Sequence, residues 1–157
     1  MMDETSQKRI ALVAHDKMKK DMIDWVSQHI KFLEPHQLWA TGTTGAQIYE
    51  ATGLQINLLK SGPLGGDQQL GAMIAEGKID ILIFLTDPLT PMPHDVDVKA
   101  LLRISTLYQT VIACNRSTAD YVILSERLSQ PSDIRFPPLN GDGNRKNKKS
   151  KVPWQKS

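Results

Sequence analysis

Cysteine is almost absent from this chain: Cys114 stands alone among 157 residues. One thiol excludes an internal disulfide, and its setting in the apolar run "TVIAC" reads as a reduced, buried, structural side chain. Long apolar runs are missing too. None approaches the ~20 residues that span a bilayer, and the polar opening "MMDETSQKRI" lacks the apolar core of a secretory signal. Together these absences set the expectation of a soluble protein in the reducing cytoplasm, with no membrane partner. There is no internal repeat, no G-x-x-x-x-G-K-[ST] loop and no G-x-G-x-x-G turn, so no nucleotide is indicated. Asp16, Asp67, Asp87, Asp95 and Asp97 raise a hard-cation reading, but no D-x-D-x-D-G loop and no zinc spacing supports it. Neither a metal nor a cofactor is expected.

Acidic residues are missing from one region. Residues 144–157, "NRKNKKSKVPWQKS", carry six basic side chains and no acid. Without those six, 13 basic residues face all 17 acidic ones, so the rest of the chain is near −4. The pI of 8.7 is therefore a property of the tail. A nucleic-acid argument applies only there, and a solvated, disordered end is the simpler reading.

What is present is a regular alternation. The length suits one domain with a sizeable core. "RIALVA" (9–14) is a compact apolar strand. After Asp16, Met22, Val26, Ile30 and Leu33 recur at helical spacing until Pro35 stops the helix. "QLWATG" (37–42) is a second strand, followed by a helix of one to two turns that Gly53 ends. "QINLLKSG" (55–62) is a third, followed by a helix that Gly77 closes. "IDILIFLTD" (79–87) is apolar almost throughout and reads as a central strand buried on both faces. A helix over 95–108 offers Val98, Leu101, Leu102 and Ser105 or Leu107 to the core. "TVIACN" (110–115) is the fifth strand, with Ser117 the expected N-cap of a last helix. His29 and His36 read as surface residues. The pattern predicts a single doubly wound α/β domain: a five-stranded parallel sheet with flanking helices.

In that architecture ligands bind outside the carboxyl ends of the strands. The unusual polar stretches fall there: "AHD", "TGTTG", "SGPLGGD", "TDPLTPMPHD" and "NRSTAD". In "TGTTG", glycines let several N–H groups converge just before a helix, and threonine hydroxyls add donors, which suits a phosphate or carboxylate. Ser61 and Gly62 offer the same chemistry at the next strand end. Lys19, three residues after Asp16, is either a solvated side chain or the counter-charge for that anion. Asp67 is either a helix N-cap or a general base beside a substrate carbonyl. His94, after two prolines and before a helix, suits a neutral ring that donates a hydrogen bond, with Asp97 to orient it. His15 supplies a second donor.

The stretches "ALVAHDKMK", "WATGTTG", "LLKSGPLGGDQQLGAMIAEGKIDILIF", "DPL" and "PHDVDVKALLR" together resemble the methylglyoxal synthase family, from about residue 9 to about 125. The resemblance implies a flavodoxin-like fold, a homohexamer, and conversion of dihydroxyacetone phosphate to methylglyoxal and phosphate without a cofactor. It implies Asp67 as catalytic base, with the substrate phosphate held by Lys19, Thr41, Gly42, Thr43, Thr44, Ser61 and Gly62. His15 and His94 would face the substrate oxygens, with Asp97 beside them and Asp16 and Asp87 as accessory acids. Inhibition by inorganic phosphate is a family trait. Arg103 matches the family at an expected subunit contact. The family's C-terminal arginine has no motif here that assigns it to Arg127, Arg135 or Arg145. The expected organisation is a flexible N-terminus (1–8), a methylglyoxal synthase-like domain (9–139) and a basic, disordered tail (140–157). The alternatives are a non-catalytic effector-binding module, similar to the regulatory domain of carbamoyl phosphate synthetase, and an aldose–ketose isomerase that keeps its phosphate.

Overall fold

The computed structural model describes residues 6–91, 93 and 95–131. Five strands form one sheet: β1 (Arg9–Ala14), β2 (Gln37–Thr41), β3 (Asn57–Leu59), β4 (Ile81–Leu85) and β5 (Val111–Ala113). Their spatial order is β3-β2-β1-β4-β5, and every pairing is parallel. Six α-helices flank it: α1 (Lys19–Gln28), α2 (Ile30–Leu33), α3 (Thr44–Thr52), α4 (Gly66–Ala75), α5 (Asp95–Leu107) and α6 (Arg116–Ile123). The expected doubly wound sheet is present. β1 matches its apolar run, and the other four strands are shorter than theirs, because the polar ends of those runs turn out of the ladder into the loops.

Period-two alternation divides the core. Ile10, Leu12, Ile81, Ile83 and Leu85 point to one face and pack with Trp25, Val26, Ile48 and Ile123 from α1, α3 and α6. Ala11, Val13, Leu82 and Phe84 point to the other and meet Leu70, Ile74, Val98 and Leu101 from α4 and α5. All five residues of β4 are buried, as expected for a central strand. Cutting a fully buried leucine such as Leu82 to alanine costs about 2–5 kcal/mol. The Arg9 N–H and Nε both donate to Asp80 Oδ2, at 2.8 and 3.2 Å, which pins the start of β1 beside that of β4.

Several local expectations need correction. The first helical stretch is not continuous: a 3-10 turn (Asp16–Met18) precedes α1, and His29 separates α1 from α2 with φ −124°. His29 is not a surface residue. Its Nδ1 donates to the Trp25 carbonyl at 2.7 Å, and Trp25 Nε1 in turn donates to Asp120 Oδ1 at 2.8 Å, tying α1 to α6. His36 is buried, and its Nδ1 accepts the Lys8 N–H at 2.8 Å. Burial, then the nearby Lys8 charge, pull its pKa down to about 4. Ser6 and Lys8, placed with the N-terminal extension by the sequence, are buried against the domain. The N-cap of α6 is Asn115, whose Oδ1 accepts the Thr118 N–H at 2.9 Å, and not Ser117. On α5 it is Ser105, not Leu107, that is fully buried, its hydroxyl satisfied by the Leu101 carbonyl. Cys114 is half-buried, and burial raises its pKa, keeping it a thiol.

The chain reverses direction once. From β1 through β3 it steps outward with α1 to α3 on one face; it then crosses back to β4 and steps the other way with α4 and α5 on the opposite face. The switch point therefore lies between β1 and β4, the place where such sheets hold ligands.

Candidate active site

Three strand ends and three helix starts converge beside this switch point. β1 ends at Ala14, and the backbone carries His15 directly out of the sheet, its N–H still bonded to the Leu85 carbonyl of β4 at 3.2 Å. His15 is buried, its ring set edge-on to Phe84 with centroids 5.1 Å apart. Its Nδ1 accepts the Asp87 N–H at 2.9 Å, so the proton of the neutral ring belongs on Nε2.

The 3-10 turn after His15 delivers Lys19 to the first position of α1. Its ammonium lies 3.2 Å from Asp16 Oδ1 and donates to Thr43 Oγ1 at 3.0 Å. Lys19 thus spans from the β1 loop to the β2 loop. Gly42, with φ +60°, turns the chain there. Thr43 occupies the N-cap position of α3 without using its hydroxyl as a cap, which leaves it to Lys19. Thr41 and Thr44 are buried on either side. The first N–H groups of α3 have no partner within the helix and lie beside the lysine charge, an anion-binding combination.

The β3 loop brings the carboxylate. A 3-10 turn (Gly62–Leu64) leads through Gly65, at φ +106°, into α4. Gly66 is required for a different reason: a Cβ there would lie 1.9 Å from the Lys60 carbonyl oxygen. This tight corner places Asp67 in the first turn of α4, buried, where the positive end of the helix dipole favours a negative charge. Gly65 holds the N-cap position, so Asp67 is not the cap. A Cβ on Gly62 would sit 3.3 Å from Asp67 Oδ1, so the carboxylate lies directly against the Gly62 backbone.

These groups enclose one pocket of about 80 Å³. His15, Asp16 and Lys19 line it from β1, Thr41, Gly42 and Thr44 from β2, and Ser61, Gly62 and Asp67 from β3. Nine residues singled out in the sequence thereby meet, and Thr43 joins them through Lys19. Asp87 contributes its N–H; its carboxylate accepts instead from the Thr90 side chain and the Leu89 N–H, which hold its pKa below the usual carboxylate range. Asp97 is half-buried in the first turn of α5 and does not line the pocket. His94, Arg135 and Arg145 lie outside the described residues. Arg127 lines a different, larger groove at the opposite edge of the sheet. Two contributors escaped the sequence reading: Phe84, indistinguishable from other core residues of its strand, and the Asp87 N–H, since main-chain partners carry no sequence signal.

The chain matches the MGS-like domain family model over residues 21–113. It is 58% identical over 123 residues to the methylglyoxal synthase of Leptospira interrogans serogroup Icterohaemorrhagiae serovar copenhageni, covering 78% of this chain and 83% of the relative. It is 54% identical over 132 residues to that of Cellvibrio japonicus, covering 84% and 86%. A crystal structure of methylglyoxal synthase from Elizabethkingia anophelis NUHP1 superposes with a TM-score of 0.75 at 49% identity, covering 79% of this chain and 82% of that one. Likeness of this extent in both sequence and fold makes the chain a member of the methylglyoxal synthase family.

Proposed function

We propose that this enzyme converts dihydroxyacetone phosphate to methylglyoxal and inorganic phosphate. The observation that carries the reading is a buried carboxylate, Asp67, in the same small pocket as the Lys19–Thr43 anion cradle. Phosphate bound by Lys19, Thr43, the α3 amides, Ser61 and Gly62 would present the carbon skeleton to Asp67.

Asp67 takes a proton from the hydroxymethyl carbon, and the C–H electron pair becomes the double bond of an enediolate. Its negative charge rests on the former carbonyl oxygen, beside the donors His15 and His94. Loss of the remaining hydroxyl proton re-forms a carbonyl at the terminal carbon, moves the double bond along, and breaks the C–O bond to phosphate. His94 carries that proton between the two oxygens. The resulting enol of methylglyoxal takes up a proton at carbon as its hydroxyl proton leaves, and the proton held by Asp67 passes to the departing phosphate, which restores the carboxylate. Elimination requires the C–O bond to stand roughly perpendicular to the enediolate plane; held in the plane, the same intermediate would isomerise. Donors around the phosphate stabilise it as it leaves. Asp97 orients His94 in this scheme, and Asp16 balances Lys19.

Phosphate is then both product and competing inhibitor. The working form is a homo-oligomer, a hexamer on the family's pattern, located in the cytoplasm. No helix among the described residues is long and apolar enough to cross a membrane. The test is to incubate the purified protein with dihydroxyacetone phosphate and follow methylglyoxal and free phosphate together. Equal release of both is expected. Phosphate binding without turnover would favour the regulatory-module reading, and turnover that retains phosphate would favour an isomerase.

A further inference from the structure

Gln69 is exposed and does not line the pocket, yet its side chain is engaged. Its Oε1 accepts the Lys60 N–H at 2.7 Å, across nine positions of chain. Lys60 directly follows Leu59, the last residue of β3, which pairs with Thr41 of β2. β3 is an edge strand, so no further strand holds its end from the outer side.

Gly66 and Gln69 stand at i and i+3, so they share one face of α4. Both meet Lys60. Its carbonyl oxygen lies so close to Gly66 that a Cβ there would come within 1.9 Å, while Gln69 takes its N–H. Inside the loop, the Ser61 carbonyl accepts the Leu64 and Gly66 N–H groups at 3.0 and 2.8 Å. Ser61 and Gly62, which line the pocket, hang between these two fixings. Asp67 follows Gly66 on α4, with its carboxylate against the Gly62 backbone. A shift of the Lys60 backbone would therefore move the Ser61–Gly62 donors relative to that carboxylate. An exposed hydrogen bond adds little to stability, because water can replace either partner. Reaction geometry is less forgiving: a misplacement of about 1 Å can cost about 10²-fold in rate.

We propose that Gln69 is a positioning residue, which sets the spacing between the Ser61–Gly62 amides and Asp67. The proposal rests on the reading of Asp67 as the base acting on dihydroxyacetone phosphate. Gln69→Met keeps the length of the side chain and removes the acceptor; Gln69→Glu keeps an acceptor oxygen in the first turns of a helix, where its charge is tolerated. Steady-state kinetics on the full chain tests both. In Gln69→Met, kcat should fall about 10–100-fold, while inhibition by inorganic phosphate stays within about threefold. Gln69→Glu should exceed Gln69→Met in kcat by at least about fivefold. Two equally impaired variants, or a Met variant with unchanged kcat, would overturn the proposal. So would a melting midpoint lowered by more than about 4 °C with kcat intact, which would make Gln69 a support of the fold alone. Amide hydrogen exchange separates this proposal from the reaction it rests on. The Lys60 amide should exchange about tenfold faster in Gln69→Met than in the unmodified chain and in Gln69→Glu. Should the unmodified chain release no phosphate from dihydroxyacetone phosphate, the reaction is wrong, and that exchange pattern still reads the clamp. Equal exchange in all three proteins would overturn it.

Discussion

The main-chain N–H of Asp87 and Nδ1 of His15 are joined by a 2.9 Å hydrogen bond, although the residues are 72 positions apart. The bond bridges the loops after β1 and β4, across the switch point. It fixes which ring nitrogen of His15 can donate. Nδ1 is occupied as an acceptor, so donation to a substrate oxygen falls to Nε2.

The first prediction follows. His15→Ala should lower kcat/KM by about 10²–10³-fold, the usual cost of removing one donor to a developing oxyanion. His15→Gln, whose amide reaches the Nε2 position, should retain more activity than His15→Asn, which reaches only Nδ1. Asp87→Asn keeps the main-chain N–H and should cost less than tenfold. Steady-state kinetics of the four variants checks the order; a Gln variant no better than Ala would remove Nε2 from the mechanism.

Asp67→Asn preserves shape and burial but removes the proposed base. Turnover should fall by about three or more orders of magnitude, while phosphate still binds within a few-fold of the unmodified protein. Loss of phosphate binding, read by calorimetric titration, would show that the carboxylate organises the loop instead.

Lys19 and Asp16 share a contact but should not share a phenotype. Lys19→Met removes the ammonium from the Thr43 cradle and should weaken phosphate binding by about 10–100-fold, the scale of a charged hydrogen bond. The Asp16 side chain is 90% exposed, and its pair with Lys19 is screened. Asp16→Asn should therefore change binding less than tenfold. Inhibition by inorganic phosphate reads both.

His36 gives stability a pH dependence remote from the site. Its ring stays neutral in the folded chain down to about pH 4 but protonates near 6.5 when unfolded. Between those values the unfolded state binds more protons. Stability therefore rises with pH across this window and is lost as pH falls through it, by up to about 3 kcal/mol. His36→Asn keeps an acceptor for the Lys8 N–H but cannot titrate, so it should flatten this part of the profile. Urea unfolding at pH 7 and pH 4.5 measures the difference.

The parts of this protein that were readable in advance are those written in local pattern. The compact apolar run "RIALVA" located the first strand, the almost wholly apolar "IDILIFLTD" located a central one, and the Gly-Thr and Gly-Gly-Asp loops marked the residues that line the candidate pocket. What resisted reading depends on tertiary partners. His36 looks like a turn residue until Lys8 folds over it. Asn115, extended at φ −146° and ψ 169°, is the cap, and Ser117 already lies inside the helix. The helix after Asp16 breaks at His29, where the ring bonds back to the Trp25 carbonyl. The sheet order is set by crossovers that leave no mark in composition.

That sheet order also governs how the protein can acquire activity as it folds. The β1–β4 pairing brings Ile10 beside Ile81, a contact that closes most of the domain into one loop. Contacts of such high separation form late and slowly compared with hairpins or isolated helices. The proposed phosphate cradle draws on the loops after β1, β2 and β3, whereas the His15–Asp87 bridge needs β4 in place. A nascent or partly refolded chain can thus grip the anion before it fixes His15, the proposed donor to the enediolate. Ligand binding should return ahead of catalysis during refolding, with the final docking of β4 converting a passive phosphate receptor into an enzyme.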